Sequence, residues 1–140
     1  MSHETILLPL FAIVLITLLV TLRLGQSRYR AVFQDGLNPG YFKLNRGGKP
    51  PEYLMRVEQH YENLFEQPLL FYIVGILIYV TQQTDTALLV LAWSYIATRI
   101  LHGVIHIHYN NLIWRRNAFY LSTFVLFTLW GYFYVQLMTS

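Results

Sequence analysis

The sequence of 140 residues contains no cysteine. A chain without cysteine can form no disulfide, and it offers no thiolate to a metal ion or to an electrophile. Any thiol chemistry at this protein therefore has to use a thiol that a ligand brings. Charged residues are also scarce: they make up 12% of the chain, whereas they make up about 25% of a soluble domain.

The scarcity of charge leaves long apolar segments, which are typical of an integral membrane protein. Hydrophobic residues make up 55% of the chain, and the mean hydropathy is +0.40. A membrane-spanning helix needs about 20 mainly apolar residues. We predict one all-α domain, an integral membrane four-helix bundle, over residues 1–140. Its helices are expected at about residues 5–24, 52–82, 85–110 and 115–138, with a loop at about residues 25–51.

The basic residues predict how the helices are oriented in the membrane. The second connection, "TQQTD", has no Lys or Arg, and its Asp85 is predicted to cap the following helix. The third connection holds Arg115 and Arg116. The basic residues of the first connection are Arg28, Arg30, Lys43, Arg46 and Lys49. By the positive-inside rule, connections one and three lie in the cytoplasm and both termini lie on the other side.

Three further expectations concern the class of protein. The leader "MSHET" has no Lys or Arg, so the first helix is predicted to be a permanent anchor and not a cleaved signal peptide. The compact loops favour a bacterial inner membrane. The net charge of +3 reflects membrane orientation, and we expect no nucleic-acid partner.

The second predicted helix begins with an unusually polar stretch, "RVEQHYENLFEQP". At 100° per residue its polar side chains fall within about 80° of one another and form one stripe. The members of this polar stripe are Glu52, Arg56, Gln59, Asn63 and Glu66. Charges inside a membrane need a partner or a wet cavity, so we predict that the stripe points into the bundle or into a subunit interface. A simpler alternative is that the stripe only holds helices together, with Arg56 paired to Glu52.

The third predicted helix carries a matching polar row. Its members Arg99, His102, His106 and Asn110 follow the spacing i, i+3, i+7, i+11, which makes a single face, and His108 lies off that face. Helices two and three are antiparallel across a short loop, so Glu66 and Arg99 should lie at similar depth and form an ion pair. The two rows together predict a polar pocket that suits a zwitterionic, peptide-like ligand.

Helices two and three each carry a sequence motif, and the two motifs occur together in this chain. The motifs are Arg56-x6-Asn63-x2-Glu66-x-Pro68 on helix two, and Arg99-x2-His102-x3-His106 on helix three with Arg115 after it. The combination resembles the membrane-associated proteins in eicosanoid and glutathione metabolism, the MAPEG family, over nearly the whole chain. The resemblance implies a homotrimer that binds glutathione, as a co-substrate, in pockets between subunits.

The resemblance also implies roles for individual residues. Those assigned to glutathione binding are Arg56, Asn63, Glu66, Arg99 and His102, with Arg28 or Arg30 reaching in from a neighbouring subunit. Arg115 matches an arginine near the sulfur, where it would stabilise the glutathione thiolate. The thiolate would attack a lipophilic electrophile that arrives from the bilayer, in a transferase or peroxidase reaction. His106 is our candidate proton acceptor; the alternative is a packed polar residue within the site.

Three other functional classes place different requirements on the sequence. A non-catalytic ligand-binding or scaffold protein could share the same fold. A haem-binding electron carrier would need two axial histidines, such as His60 with His102 or His106. Membrane di-iron oxygenases carry more clustered histidines than the five in this chain. We therefore predict no metal site from the sequence.

Overall fold

The structure is a computed structural model, and it describes residues 2–109 and 111–139. The described chain is helical and contains no strand. A short 3-10 turn, His3–Ile6, precedes the first α-helix, and a π-helical turn, Ile105–Tyr109, continues the fourth. The α-helices are α1 (Leu7–Phe33), α2 (Tyr41–Leu44), α3 (Glu52–Val80), α4 (Thr86–Val104) and α5 (Leu112–Thr139).

Four helical segments are long and apolar enough to cross a membrane: His3–Phe33, Glu52–Val80, Thr86–Tyr109 and Leu112–Thr139. Their outward surfaces carry large apolar side chains that a lipid environment would cover, such as Phe11 and Leu19 on α1 and Phe124 on α5. The chain is therefore an all-α, multi-pass membrane protein with the architecture of a four-helix bundle.

The most extensive helix pairings are α1 with α3 and α4 with α5. The pairing of α1 with α3 is close because Gly75 has no side chain. A Cβ atom at Gly75 would lie 2.6 Å from Cδ2 of Leu10, which is too short for any van der Waals contact. Glycine at this position thus lets the N-terminal part of α1 approach the C-terminal part of α3 closely.

The buried apolar side chains form two separate cores. The large core contains Ile6, Leu10, Ile13, Phe71, Val74, Ile78, Leu88, Ala92, Tyr95, Ile96, Leu126, Leu129 and Phe133. The small core contains Leu24, Ala31, Leu37, Tyr41, Leu54 and Val57. Between the two cores along α3 and α4 lies a polar layer, whose buried members are His60, Arg99, His102, His106 and Ser122.

Helix α1 is longer than predicted and ends at Phe33 instead of near residue 24. The prediction was based on hydropathy, which marks where the apolar run stops and not where the helix stops. Ala31 belongs to the small core and Ser27 is also buried, so packing against α3 sustains the last turns. Arg28 and Arg30 consequently lie on the helix and not in a loop.

Polar side chains cap the starts of α4 and α5. Asp85 caps α4 as predicted, because its Oδ1 accepts a 2.7 Å hydrogen bond from the backbone N–H of Leu88. Asn111 does the same for α5, accepting from the N–H groups of Ile113 and Trp114 at 3.0 and 3.2 Å. Helix α5 therefore begins at Leu112, slightly earlier than predicted. Asn110, the last member of the predicted polar row, lies outside the described residues.

Candidate functional site

The polar stripe of α3 lies on the outer surface of this chain and does not face its interior. Its exposed members are Glu52, Gln59 and Glu66, and its half-buried members are Arg56 and Asn63. The inward face of α3 belongs instead to Leu54, Val57, His60 and Leu64, which are centred more than a third of a turn around the helix from the stripe. The prediction that the stripe points into the interior of the bundle is therefore wrong for this chain.

Contacts within the chain hold three residues in the N-terminal half of the stripe: Glu52, Arg56 and Gln59. Arg56 forms an ion pair with Glu52 one turn earlier on α3, as the simpler interpretation of the stripe expected. Nη1 of Arg115, from the first turn of α5, lies 3.5 Å from Oε1 of Gln59. Arg115 is thus brought against the polar stripe, on the side of the bundle where α3 and α5 meet.

Arg99 is 1% exposed and uses neutral acceptors on α3. Its Nη2 donates to the backbone carbonyl of Asn63 at 3.1 Å, and its Nη1 donates to Oε1 of Gln67 at 3.4 Å. The expected ion pair with Glu66 is not formed, because the Glu66 side chain points to the protein surface while Gln67 points toward α4. The prediction of this ion pair was wrong, and both hydrogen-bond acceptors of Arg99 are neutral.

Gln67 links three helices through a network that the sequence did not reveal. Its Nε2 donates to Oγ1 of Thr123 at 2.5 Å, and Ser122 Oγ donates to its Oε1 at 3.1 Å. Both hydroxyl residues also bond to the carbonyl of Phe119 in their own helix. Small hydroxyl residues in an apolar helix commonly bond in this way, so their spacing alone gave no signal.

Three histidines meet in the polar layer. His60 comes from α3, His102 from α4 and His106 from the π-helical turn, and they are 1%, 2% and 0% exposed. The ring centroids are 5.9 Å apart for His60 and His102, 5.5 Å for His60 and His106, and 5.7 Å for His102 and His106. We call these three residues the histidine trio.

Gly103 permits this meeting of α3 with α4. A Cβ atom at Gly103 would lie 2.8 Å from Nε2 of His60. Any larger residue would therefore push the His60 ring away from its present position. As the spacing predicted, Arg99, His102 and His106 share the buried face and His108 is exposed.

The compactness of the histidine trio argues against the haem alternative. Each ring lies within 6 Å of both others. A porphyrin placed between any two of them would overlap the third, because that ring lies inside the area that the porphyrin plane would cover. The structure thus has no slot for a haem at these histidines.

Two pockets adjoin the polar layer from opposite sides. The α5 pocket has a volume of about 240 Å³, and its lining includes Asn63, His102, Arg115, Arg116 and Phe119. The α1 pocket has a volume of about 410 Å³ and is mainly apolar, with Val20, Arg23, His60, Arg99 and Ile100 in its lining. The histidine trio lies between them, since His102 lines one pocket and His60 the other.

The α5 pocket brings together three residues that the sequence analysis assigned to the site: Asn63, His102 and Arg115. Arg56, Glu66 and Arg99 are not among the residues that line it, and Arg99 lines the α1 pocket instead. His106 also lies outside the lining, because it is fully buried behind His102.

Arg28 and Arg30 are engaged elsewhere, at the end of α1. Arg28 forms a 3.1 Å ion pair with Glu58. Arg30 lies over the ring of Tyr53 at 4.7 Å from its centroid, in a cation–π contact. Within this single chain, both arginines therefore bind to the small-core end of α3.

Comparison with known proteins gives one finding. The model of the MAPEG family matches residues 6–135, nearly the whole chain. Neither the curated proteins nor the solved structures contain a significant match.

Proposed function

Because the chain belongs to the MAPEG family, whose members generally use glutathione, we propose that it is a membrane-bound glutathione-dependent enzyme. Family membership supports, at the family level, a membrane role in glutathione-related transferase, peroxidase or related chemistry. The specific reaction we propose is transfer of glutathione to a lipophilic electrophile, or reduction of a lipid peroxide by it.

The observation that carries the proposal is the α5 pocket. It combines two guanidinium groups, from Arg115 and Arg116, with the polar side chains of Asn63 and His102. Guanidinium groups bind carboxylates with paired, charge-assisted hydrogen bonds. Glutathione has two carboxylates and a thiol, so a pocket rich in arginine suits it better than it suits a neutral ligand.

Arg115 is our candidate for activating the thiol. A free thiol has a pKa of about 8.5 and is mostly protonated at neutral pH. A guanidinium within hydrogen-bonding distance favours the thiolate, and lowering the pKa by about two units corresponds to about 2.7 kcal/mol. The thiolate then attacks an electrophile that enters from the bilayer.

His106 stays our predicted proton acceptor, and it would act through His102. His102 lines the α5 pocket, and its ring centroid is 5.7 Å from that of His106. A proton released by the thiol would pass to His102 first and then to His106. His106 is not part of the pocket lining, so it leaves the pocket open to the ligand.

The polar stripe supports a proposal about assembly. Glu66 and Arg56 lie on a helix that crosses the membrane, yet the chain itself leaves Glu66 exposed. Such a group needs a partner, and we propose that a neighbouring subunit of a homotrimer covers the stripe. Glutathione would then bind at the subunit interface, held by Arg56, Asn63, Glu66 and Arg99, and by Arg28 or Arg30 of the neighbouring copy. The termini would lie on the non-cytoplasmic side, in a bacterial inner membrane.

Calorimetric titration with glutathione tests the proposal on purified protein in detergent. We expect binding, and turnover with a generic electrophile or a lipid peroxide that Arg115→Ala abolishes or strongly reduces. Arg46→Ala is the matched control, because Arg46 is an exposed loop residue outside the pocket. Folded protein that binds no glutathione at millimolar concentration would disprove the proposal. Binding without turnover would instead indicate the non-catalytic ligand-binding class.

A further inference from the structure

The histidine trio contains an unusual number of polar atoms without a partner. Nδ1 of His60 and both ring nitrogens of His102 and of His106 are buried and make no hydrogen bond within the described chain. Buried polar groups are nearly always paired, so each exception requires an explanation. Five such nitrogens in one cluster indicate a ligand that binds several of them at once.

The positions of the rings identify the chemistry of that ligand. One nitrogen from each of His60, His102 and His106 lies within 4.8 Å of the corresponding nitrogens of the other two. Imidazole nitrogens bind Zn²⁺ at about 2.0–2.1 Å, which places them about 3.4 Å apart in a tetrahedral site. The distances between these nitrogens therefore have to shorten by at most about 1.4 Å, which small side-chain rotations supply.

We propose that His60, His102 and His106 bind one transition-metal ion, with Zn²⁺ as the simplest candidate. Three histidines leave the fourth coordination position open, which is the arrangement of catalytic zinc sites and not of closed structural ones. The absence of cysteine and of a buried carboxylate in the trio means that the ligand set is neutral.

Two backbone features at the trio support the proposal. Gly103 leaves the space into which Nε2 of His60 fits, at 2.8 Å from where a Cβ would be. The helix also changes from α to π geometry at Ile105, directly before His106. Single π-helical turns occur frequently at functional sites. Both features lie at the cluster and help to bring its three rings together.

The charge around the trio determines what the fourth ligand must be. Arg99 lines the α1 pocket together with His60, and its own partners are neutral. A divalent ion beside this guanidinium would be repelled unless an anion accompanied it. The fourth ligand is therefore expected to be anionic, a hydroxide or a thiolate. The α1 pocket at His60 and the α5 pocket at His102 provide two routes by which it could enter.

Metal binding and proton transfer make different use of the same two residues, His102 and His106. An imidazole nitrogen that binds a metal ion cannot accept a proton. In the metal-loaded protein both histidines would be ligands and would not relay a proton, and Arg115 would remain to stabilise a bound thiolate. The metal proposal does not depend on glutathione and is tested in its absence.

The test uses tag-free protein that is stripped with a chelator and then loaded with Zn²⁺ or Co²⁺. We expect one ion per chain, a visible spectrum of tetrahedral Co²⁺, and an X-ray absorption spectrum of the zinc form with three imidazole ligands. His60→Gln, His102→Gln and His106→Gln should each lower the affinity at least about 100-fold. His108→Gln is the matched control, because His108 lies on the same π-helical turn but is exposed.

The outcomes are separable even where a variant fails to fold. Unmodified protein that remains free of metal after loading would overturn the proposal. So would an X-ray absorption spectrum without imidazole ligands, or a loss of binding in His108→Gln equal to that in the trio variants. Because these measurements contain no glutathione, they can fail while the proposed transferase function stands, and the reverse also holds.

Discussion

The guanidinium of Arg99 donates a 3.1 Å hydrogen bond to the backbone carbonyl of Asn63. This bond joins α4 to α3 at the polar layer, where neither apolar core can hold the helices together. Since its second acceptor, Gln67, is an amide, Arg99 is a buried cation with neutral partners. Its charge is therefore available to an anionic ligand, and retaining it lowers the stability of the empty bundle.

The first prediction concerns this charge. Arg99→Met replaces a buried cation with an apolar side chain of similar length, so we expect the stability in detergent to change by less than about 1 kcal/mol or to rise. Glutathione affinity should fall at the same time. Thermal unfolding and calorimetry measure the two effects, and Arg46→Met is the control. A large loss of stability would show that the hydrogen bonds outweigh the cost of the buried charge.

The second prediction concerns Gly103. Gly103→Ala places a methyl group 2.8 Å from Nε2 of His60, and we expect a loss of about 1–3 kcal/mol in stability. Gly131→Ala is the matched control, because a Cβ there has no atom within 4 Å. In the helix interior, that change should stabilise the protein by about 0.5–1 kcal/mol. Thermal unfolding distinguishes the two, and equal effects would contradict the close packing of His60 against α4.

His60→Ala in the Gly103→Ala background extends this test. Removing the imidazole removes the clash, so the second substitution should recover part of the lost stability. Additive losses would mean that the two side chains do not compete for the same space.

The third prediction concerns pH and Arg115. If Arg115 lowers the pKa of the bound thiol by about two units, Arg115→Ala should reduce kcat/KM for the electrophile, measured at saturating glutathione, roughly 25-fold at pH 7. The variant should recover as the pH rises through about 8.5, because the thiol then ionises without help. A pH profile of kcat/KM for unmodified protein, Arg115→Ala and the Arg46→Ala control measures this. A loss that is the same at every pH would assign Arg115 to binding and not to thiolate stabilisation.

The fourth prediction concerns the network around Gln67. Gln67→Leu leaves Nη1 of Arg99 without this acceptor. The Ser122 hydroxyl loses one of its two acceptors and keeps the carbonyl of Phe119. We expect a loss of about 1–3 kcal/mol in stability, as for other buried donors that lose a partner. Gln26→Leu, on the exposed surface of α1, is the control and should change little. Thermal unfolding measures both; an unchanged midpoint in Gln67→Leu would show that water replaces the amide.

The sequence predicted the elements whose signal is local. Four apolar segments marked the membrane-spanning helices, and Asp85 marked the start of α4. The spacing of Arg99, His102 and His106 placed them on one face, and all three are buried. Each of these inferences depends on residues within a few turns of one another, where helical geometry fixes the relation between side chains.

The sequence could not show which way α3 faces. Helical projection gives the angles between side chains but not the direction of the core. It could not decide whether the polar stripe or the more apolar face of α3 points inward. The pairing of Glu66 with Arg99 depended on that choice and was wrong for the same reason. His60 and Gln67, which flank the stripe, are the residues that actually meet α4 and α5, and only the packing of separate helices reveals them.

The histidine trio lies between two pockets of different chemistry. The α1 pocket is lined mainly by apolar side chains, with Arg23 and Arg99 among them, and the α5 pocket by Arg115 and Arg116 with polar neighbours. An apolar molecule and a water-soluble molecule could thus bind in the two pockets at the same time without contacting each other. Rotation of one imidazole ring of the trio would connect the two pockets and bring the two bound molecules into contact.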